Sequence, residues 1–210
     1  TGAIGHKRNM TADEITDQIL YFYLAGHQIN SVSFMGMGEP FANPNLFDAL
    51  KILTNPSLFG LSQRRITIST IGMIPGIKRL TRDFPQVNLA FSLHSPFEKQ
   101  RSELMPINQT YPLHKVMDAL DAHVANTKRR LFLAYIMLGG INDSAEHAKA
   151  LAHLILSRGA LSYLYHVDLI PYNATDKTAR KFTASNHEAI KNFSDILHSN
   201  RISVAIRMQF

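Results

Sequence analysis

The chain has 210 residues, 45% hydrophobic and 18% charged, with a formal charge of +6. That size suits one globular domain with a sizeable core, and no run of about 18 apolar residues reads as a membrane span, nor is a secretory leader visible. With no cysteine in the sequence, disulfides and thiolate metal sites within these residues are excluded.

Strand and helix patterns alternate along the chain. Thr11-Ala-Asp-Glu14 reads as a capping box opening a helix with Ile15, Ile19, Phe22 and Tyr23 on one face, ended by Gly26. The apolar run 31–35 is a buried strand, closed by Gly36-Met37-Gly38-Glu39-Pro40. Asn43-Pro44 is read as an N-cap with proline at the first helical position, opening a helix through Leu53. A strand at 65–69, a short helix at 75–82 and a strand at 87–92 follow. The segment holding Pro96, Pro106 and Pro112 is expected to be a long loop. A helix then runs to about Ala125, a strand over 131–137, and a helix from the Ser144 cap to Arg158. A strand at 166–170 precedes a second capping box, Ser185-Asn-His-Glu188, whose helix ends near Asn200. The last strand spans 202–207.

Six strands with intervening helices predict a parallel sheet covered on both faces, hence short continuous apolar runs. Polar residues gather just past the strand ends: Gly38-Glu39, Ser69-Thr70, Ser92 and His94, Asn142-Asp143, and Asn173. Active sites of (βα) barrels and of open doubly wound sheets sit at that edge. No Gly-x-Gly-x-x-Gly opens a helix, so a barrel, or part of one, is preferred to a dinucleotide fold. The edge residues suit a small zwitterionic ligand bearing hydroxyls. Glu39 would accept from an ammonium, and Ser69, Ser92, Asn173 and His94 would supply hydroxyl, amide and imidazole groups. Each also has a plainer reading as a turn or cap residue. The ten histidines show no metal-ligand spacing, and neither a Gly-x-Ser-x-Gly nor a phosphate-binding loop is present. Basic pairs at Lys7-Arg8, Arg64-Arg65, Lys78-Arg79, Lys128-Arg129-Arg130 and Arg180-Lys181 suit a polyanion such as RNA, or an ordinary basic surface.

Six motifs in order resemble the radical S-adenosylmethionine (SAM) RNA methyltransferases of the RlmN/Cfr family: Gly36-Met-Gly-Glu-Pro40; Arg64-Arg-Ile-Thr-Ile-Ser-Thr70 with Gly72; Asn88-Leu-Ala-Phe-Ser-Leu-His-Ser-Pro96; Arg101-Ser-Glu-Leu-Met-Pro-Ile-Asn108; Gly140-Ile-Asn-Asp-Ser144; and Asp168-Leu-Ile-Pro-Tyr-Asn173. The resemblance implies an α/β fold, a partial (βα) barrel of the radical SAM type, incomplete at the N-terminus, with residues 1–210 forming its core domain. It implies SAM and a 4Fe–4S cluster as cofactors. By motif, Gly38 and Glu39 would hold the SAM amino group, and Ser69, Ser92, Leu93, His94 and Asn173 would line the rest of the pocket. The family's Cys-x-x-x-Cys-x-x-Cys cluster loop would lie just upstream of Thr1 and its methyl-carrying cysteine just beyond Phe210. The chain is therefore expected to be a fragment that is inactive alone, with no catalytic residue and no metal ligand of its own; degenerate loss of the cysteines is the alternative, which the intact internal motifs disfavour.

For the intact parent, the resemblance implies a cytoplasmic enzyme with no membrane association that methylates 23S rRNA. One SAM methylates the relay cysteine, and a second is cleaved to the radical that activates that methyl; flavodoxin or ferredoxin supplies the electron. Ala134, Ser95 and the segment Ile206-Arg-Met-Gln-Phe210 are similar to the Cfr branch, which modifies C8 of the peptidyl-transferase adenosine and confers resistance to ribosome-targeting antibiotics. The alternative is RlmN-type C2 methylation of the same rRNA adenosine and of a tRNA adenosine. Two other classes compete: a metal-dependent aldolase or isomerase on a (βα) barrel, and a non-catalytic RNA- or ligand-binding barrel.

Overall fold

The computed structural model describes residues 7–35, 38–173 and 181–207. Gly36 and Met37 of the glycine motif, Arg180 of a basic pair, and Met208, Gln209 and Phe210 lie outside the described residues. Six strands form one sheet in chain order: β1 (Val32–Phe34), β2 (Ile66–Thr70), β3 (Asn88–Ser92), β4 (Leu131–Met137), β5 (Tyr165–Pro171) and β6 (Ser203–Ile206). The registers β1/β2, β4/β5 and β5/β6 are all parallel. β1 and β6 are the two edges among the described residues, so the sheet is open, as expected of a partial barrel. Strands joined in chain order through helices are what right-handed crossovers produce. The chain divides into two compact units, Thr1–Ala90 and Phe91–Phe210.

In the first unit, α1 (Ala12–Leu24) starts at the expected capping box: Thr11 Oγ1 accepts from Glu14 N, and Glu14 Oε2 accepts from Thr11 N. α2 (Leu46–Thr54) starts later than expected. Asn43 Oδ1 accepts from Asn45 N at 3.0 Å, a local Asx turn that occupies the supposed cap. A 3-10 turn, Pro40–Ala42, precedes it. Leu46, Leu50 and Leu53 of α2 and Ile77 and Leu80 of α3 (Ile74–Asp83) are buried, as are Ile66 and Ile68 of β2. Full burial of each such side chain contributes about 1.5–3 kcal/mol.

Gly76 of α3 is where the 3-10 turn docks. A methyl group there would overlap the Phe41 ring, which also stacks on Phe47 at 6.2 Å. G76A is expected to cost about 1–3 kcal/mol by overpacking, read as a lower urea midpoint. F41L added to G76A should recover part of the loss, since the two changes share one contact; additive losses would sink the account.

In the second unit the proline-rich segment is not a plain loop. It holds α4 (Glu98–Leu104) and a 3-10 turn, Pro106–Gln109. α5 (Leu113–Thr127), α6 (Ala145–Leu156) and α7 (His187–Ser199) complete the unit. Ser144 caps α6 as expected. The cap of α7 is Asn186, whose Oδ1 accepts from Ala189 N at 2.7 Å, not Ser185, which is buried. One face of β4 and β5 (Leu131, Leu133, Tyr135, Met137; Tyr165, Val167, Leu169) is fully buried, and Tyr135 meets Phe193 of α7. Residues 132, 134 and 136 alternate with it on the opposite, half-buried face. No helix among the described residues is long and apolar enough to cross a membrane.

Candidate active site

β1 ends before a turn in which Gly38 has φ +99° with no atom near its missing side chain. The glycine is required there by conformation, not by space. Glu39 follows, half-buried. Its carboxylate accepts the Thr70 hydroxyl at 2.6 Å, Ile71 N at 2.9 Å and, more weakly, Phe41 N at 3.4 Å. It thus caps the 3-10 turn and ties the end of β1 to the end of β2. Burial raises the Glu39 pKa, against the lowering effect of those three donors. Gly38 and Glu39 line a mostly apolar cleft of about 470 Å³ with Met10, Ile19, Phe34 and Leu46. Ser69 lies one residue from the Thr70 that Glu39 engages, on the opposite, half-buried face of β2.

In the second unit Ser92, Leu93 and His94 form one tight turn. His94 has φ +56°, a left-handed conformation uncommon outside glycine, and Ser95 N donates back to Leu93 O at 2.8 Å. The turn is held from three sides. Arg101, fully buried, donates from Nε to Leu93 O and from Nη2 to Ser92 O, both at 3.2 Å. Asn142, also fully buried, donates to His94 O and Ile136 O at 2.8 Å, and its Oδ1 accepts from Leu138 N at 2.7 Å. His94 Nδ1 accepts from Ile136 N at 3.1 Å, replacing a backbone acceptor where β3 has left the sheet. That fixes the proton on Nε2. Burial, then the Arg101 charge, lowers the His94 pKa to about 4, so the ring is neutral at neutral pH. The Leu93 side chain is buried in the core, and its N–H donates to Ala134 O at 3.0 Å, so it shapes the turn from within. Asn173 is exposed just past β5, without a hydrogen-bond partner among the described residues.

Thr70 and Asn142 stand at the polar strand-end edge and Arg101 within a quoted motif, but the sequence alone assigns none of them a role; the structure shows that they hold Glu39 and the His94 turn in place. Ser95 acts as scaffold: its buried hydroxyl donates to Gln100 Oε1 and accepts from Phe97 N, and Gln100 also receives His147 Nε2. Arg64 and Arg65 precede β2, and Lys128, Arg129 and Arg130 precede β4. In each unit these cations lie at the N-terminal strand ends, opposite the edge that carries Glu39 or His94.

The donor set fits SAM at its ammonium end. A carboxylate whose burial disfavours ionisation gains from a neighbouring cation. It does not fit an iron–sulfur cluster: the 210 residues contain no cysteine, and no group of three or more metal-binding side chains occurs among the described residues.

Residues 1–155 match the Radical SAM superfamily. The chain is 73% identical over all 210 residues to a ribosomal RNA large subunit methyltransferase Cfr of Lachnoclostridium phytofermentans, covering 61% of that protein. It is 66% identical over the same span to the protein of that name from Clostridium botulinum strain Hall, covering 60% of it. A crystal structure of a radical SAM methyltransferase from Sphaerobacter thermophilus superposes with a TM-score of 0.90 at 38% identity, over 98% of this chain and 60% of that one. The chain thus spans about three-fifths of the length of the relatives it matches.

Proposed function

The chain belongs to the radical SAM superfamily, and from that premise we propose that it is the core of a Cfr-type 23S rRNA methyltransferase. The observation that carries the reading is 73% identity over all 210 residues to a protein bearing that name. The parent methylates C8 of the peptidyl-transferase adenosine in the cytoplasm, giving resistance to ribosome-targeting antibiotics. Flavodoxin or ferredoxin serves as electron donor.

Gly38 and Glu39 receive the SAM ammonium. By motif, Ser69 of the first unit and Ser92, Leu93, His94 and Asn173 of the second are assigned to SAM as well. When bound, SAM supplies the methyl group and, with a 4Fe–4S cluster whose ligands these residues do not provide, one-electron chemistry. What these residues supply is orientation: a carboxylate fixed by Thr70 and Ile71, and a neutral imidazole whose Nε2–H is available as a donor because Nδ1 is already an acceptor.

The test is nucleoside mass spectrometry of 23S rRNA from cells that express the full-length parent and lack their own C2 methylase. 8-Methyladenosine is expected. 2-Methyladenosine alone would move the protein to the RlmN branch, with tRNA as a second substrate, and neither product would refute the methyltransferase reading.

A further inference from the structure

The face of β4–β6 opposite the one that carries Tyr135 and Leu169 holds polar side chains in register. Phe132, His166 and Ser203 form one rung, and Ala134, Asp168 and Ala205 the next. His166 Nδ1 lies 2.7 Å from Ser203 Oγ, and Phe132 meets the imidazole edge-on at 5.6 Å. His166 Nε2 is 3.5 Å from Asp168 Oδ1. His166 and Asp168 are both buried.

Arg207 closes over them. Its Nη2 donates to Asp168 Oδ2 at 3.0 Å, and its Nε lies 2.9 Å from Oδ1 in a close ion pair without a hydrogen bond to that oxygen. Ala134 and Ala205 on either side of Asp168 are too short to obstruct it. The Arg207 backbone N–H donates to Leu169 O at 2.8 Å, which fixes the other end of the residue. Asp168 lies along the Nε–Nη2 edge, and Nη1 has no partner among the described residues. The side chain remains 59% exposed at the C-terminal edge of the sheet. A guanidinium oriented by a buried carboxylate on one edge and open on the other is set up to grip an oxyanion.

We propose that Arg207, with Asp168 as its positioning residue, binds a phosphodiester of the RNA substrate at this edge; the assignment rests on the methyltransferase reading above and deepens it. The Lys128–Arg130 cluster of the same unit stands at the opposite strand ends, so RNA meeting the C-terminal edge needs a cation such as this one.

The experiment uses the full-length, cluster-loaded parent and a 23S rRNA transcript containing the target adenosine. RNA affinity is followed by fluorescence anisotropy across a salt series, and SAM affinity by equilibrium dialysis. R207Q is expected to weaken RNA binding about tenfold, the loss of one charged hydrogen-bonded contact, and to lower the salt slope by about one. D168N/R207Q leaves no buried carboxylate without its cation, and so keeps the fold while showing the same loss. R207K is expected to retain the slope but not the affinity, because an ammonium lacks the two edges of a guanidinium. D168N alone should raise the RNA KM with the slope unchanged, which a general loss of folding would not do.

A wild-type slope in R207Q and in the double variant overturns the assignment. So does a loss of SAM affinity with RNA binding intact, which would make the SAM carboxylate the anion held. Wild-type protein that neither binds nor methylates the transcript sinks the methyltransferase reading itself, and this assignment with it.

Discussion

Replacing Arg101 by methionine should abolish SAM binding in the full-length parent and lower its melting temperature. Arg101 is wholly enclosed, 4.9 Å above the Phe91 ring, and still protonated at neutral pH because burial lowers its pKa only to about 10. It donates to Ser92 O, Leu93 O and, from Nη1, to Asn108 Oδ1 at 2.5 Å. Asn108 donates in turn to Glu98 Oε1 and Ser102 Oγ, both at 2.7 Å, and Glu98 Oε1 accepts from Leu113 N at the start of α5. The guanidinium is therefore the link between the end of β3 and the α4–α5 connection. Methionine fills much of the volume but strands two carbonyls and an amide oxygen, at about 1–3 kcal/mol for each orphaned group.

R101K separates folding from positioning. Lysine keeps the charge, but one ammonium cannot satisfy three acceptors in a fixed fork. R101K is expected to melt above R101M yet bind SAM at least about tenfold more weakly than wild type, because the left-handed turn at His94 loses its anchor. Dialysis well below the melting temperature makes the measurement. Wild-type SAM affinity in R101K would show that Arg101 holds the fold and not the turn.

Arg101 also marks the limit of what the chain shows before folding. Strands β2 to β5 were legible because their apolar runs are continuous, and α1 because Thr11 and Glu14 are spaced as a reciprocal cap; β1 was expected to be buried but is a half-exposed edge strand with Met35 62% exposed. Glu39 was legible because a glycine turn and a carboxylate follow directly on a strand. α4 was not: Glu98-Lys-Gln-Arg-Ser-Glu-Leu104 is almost wholly polar and flanked by prolines, and its helix is ordered by a buried arginine whose partners are up to nine residues away. Asn142 and the Asp168–Arg207 pair are hidden likewise. A lone asparagine or arginine reads as solvated until the fold brings distant carbonyls or a carboxylate to it. Asn43 and Ser185 misled in the opposite sense, because each is a good capping residue one or two positions from the side chain that caps, or begins, the helix.

At Glu39 the carboxylate serves two demands that pH separates. Its pKa is raised by burial, against donors from Thr70, Ile71 and Phe41. Without a ligand, ionised Glu39 is a cost to the fold. Stability from this group is fully present below the unfolded-state pKa and is lost as pH rises through the raised folded-state pKa. An ammonium beside the carboxylate reverses the preference, so SAM affinity should increase with pH through that same raised pKa and level off above it.

E39Q removes the titration. Its amide oxygen still accepts one of the two strong donors, so the unliganded protein is expected to be as stable as wild type or more so at neutral pH. SAM affinity should fall about tenfold or more, the worth of a charge-assisted contact, and lose its pH dependence over the carboxylate range. Calorimetric titration of the full-length parent at a series of pH values reads both effects. If E39Q keeps the wild-type affinity profile but melts early, Glu39 is only the clamp between β1 and β2, and the ammonium is held by other groups.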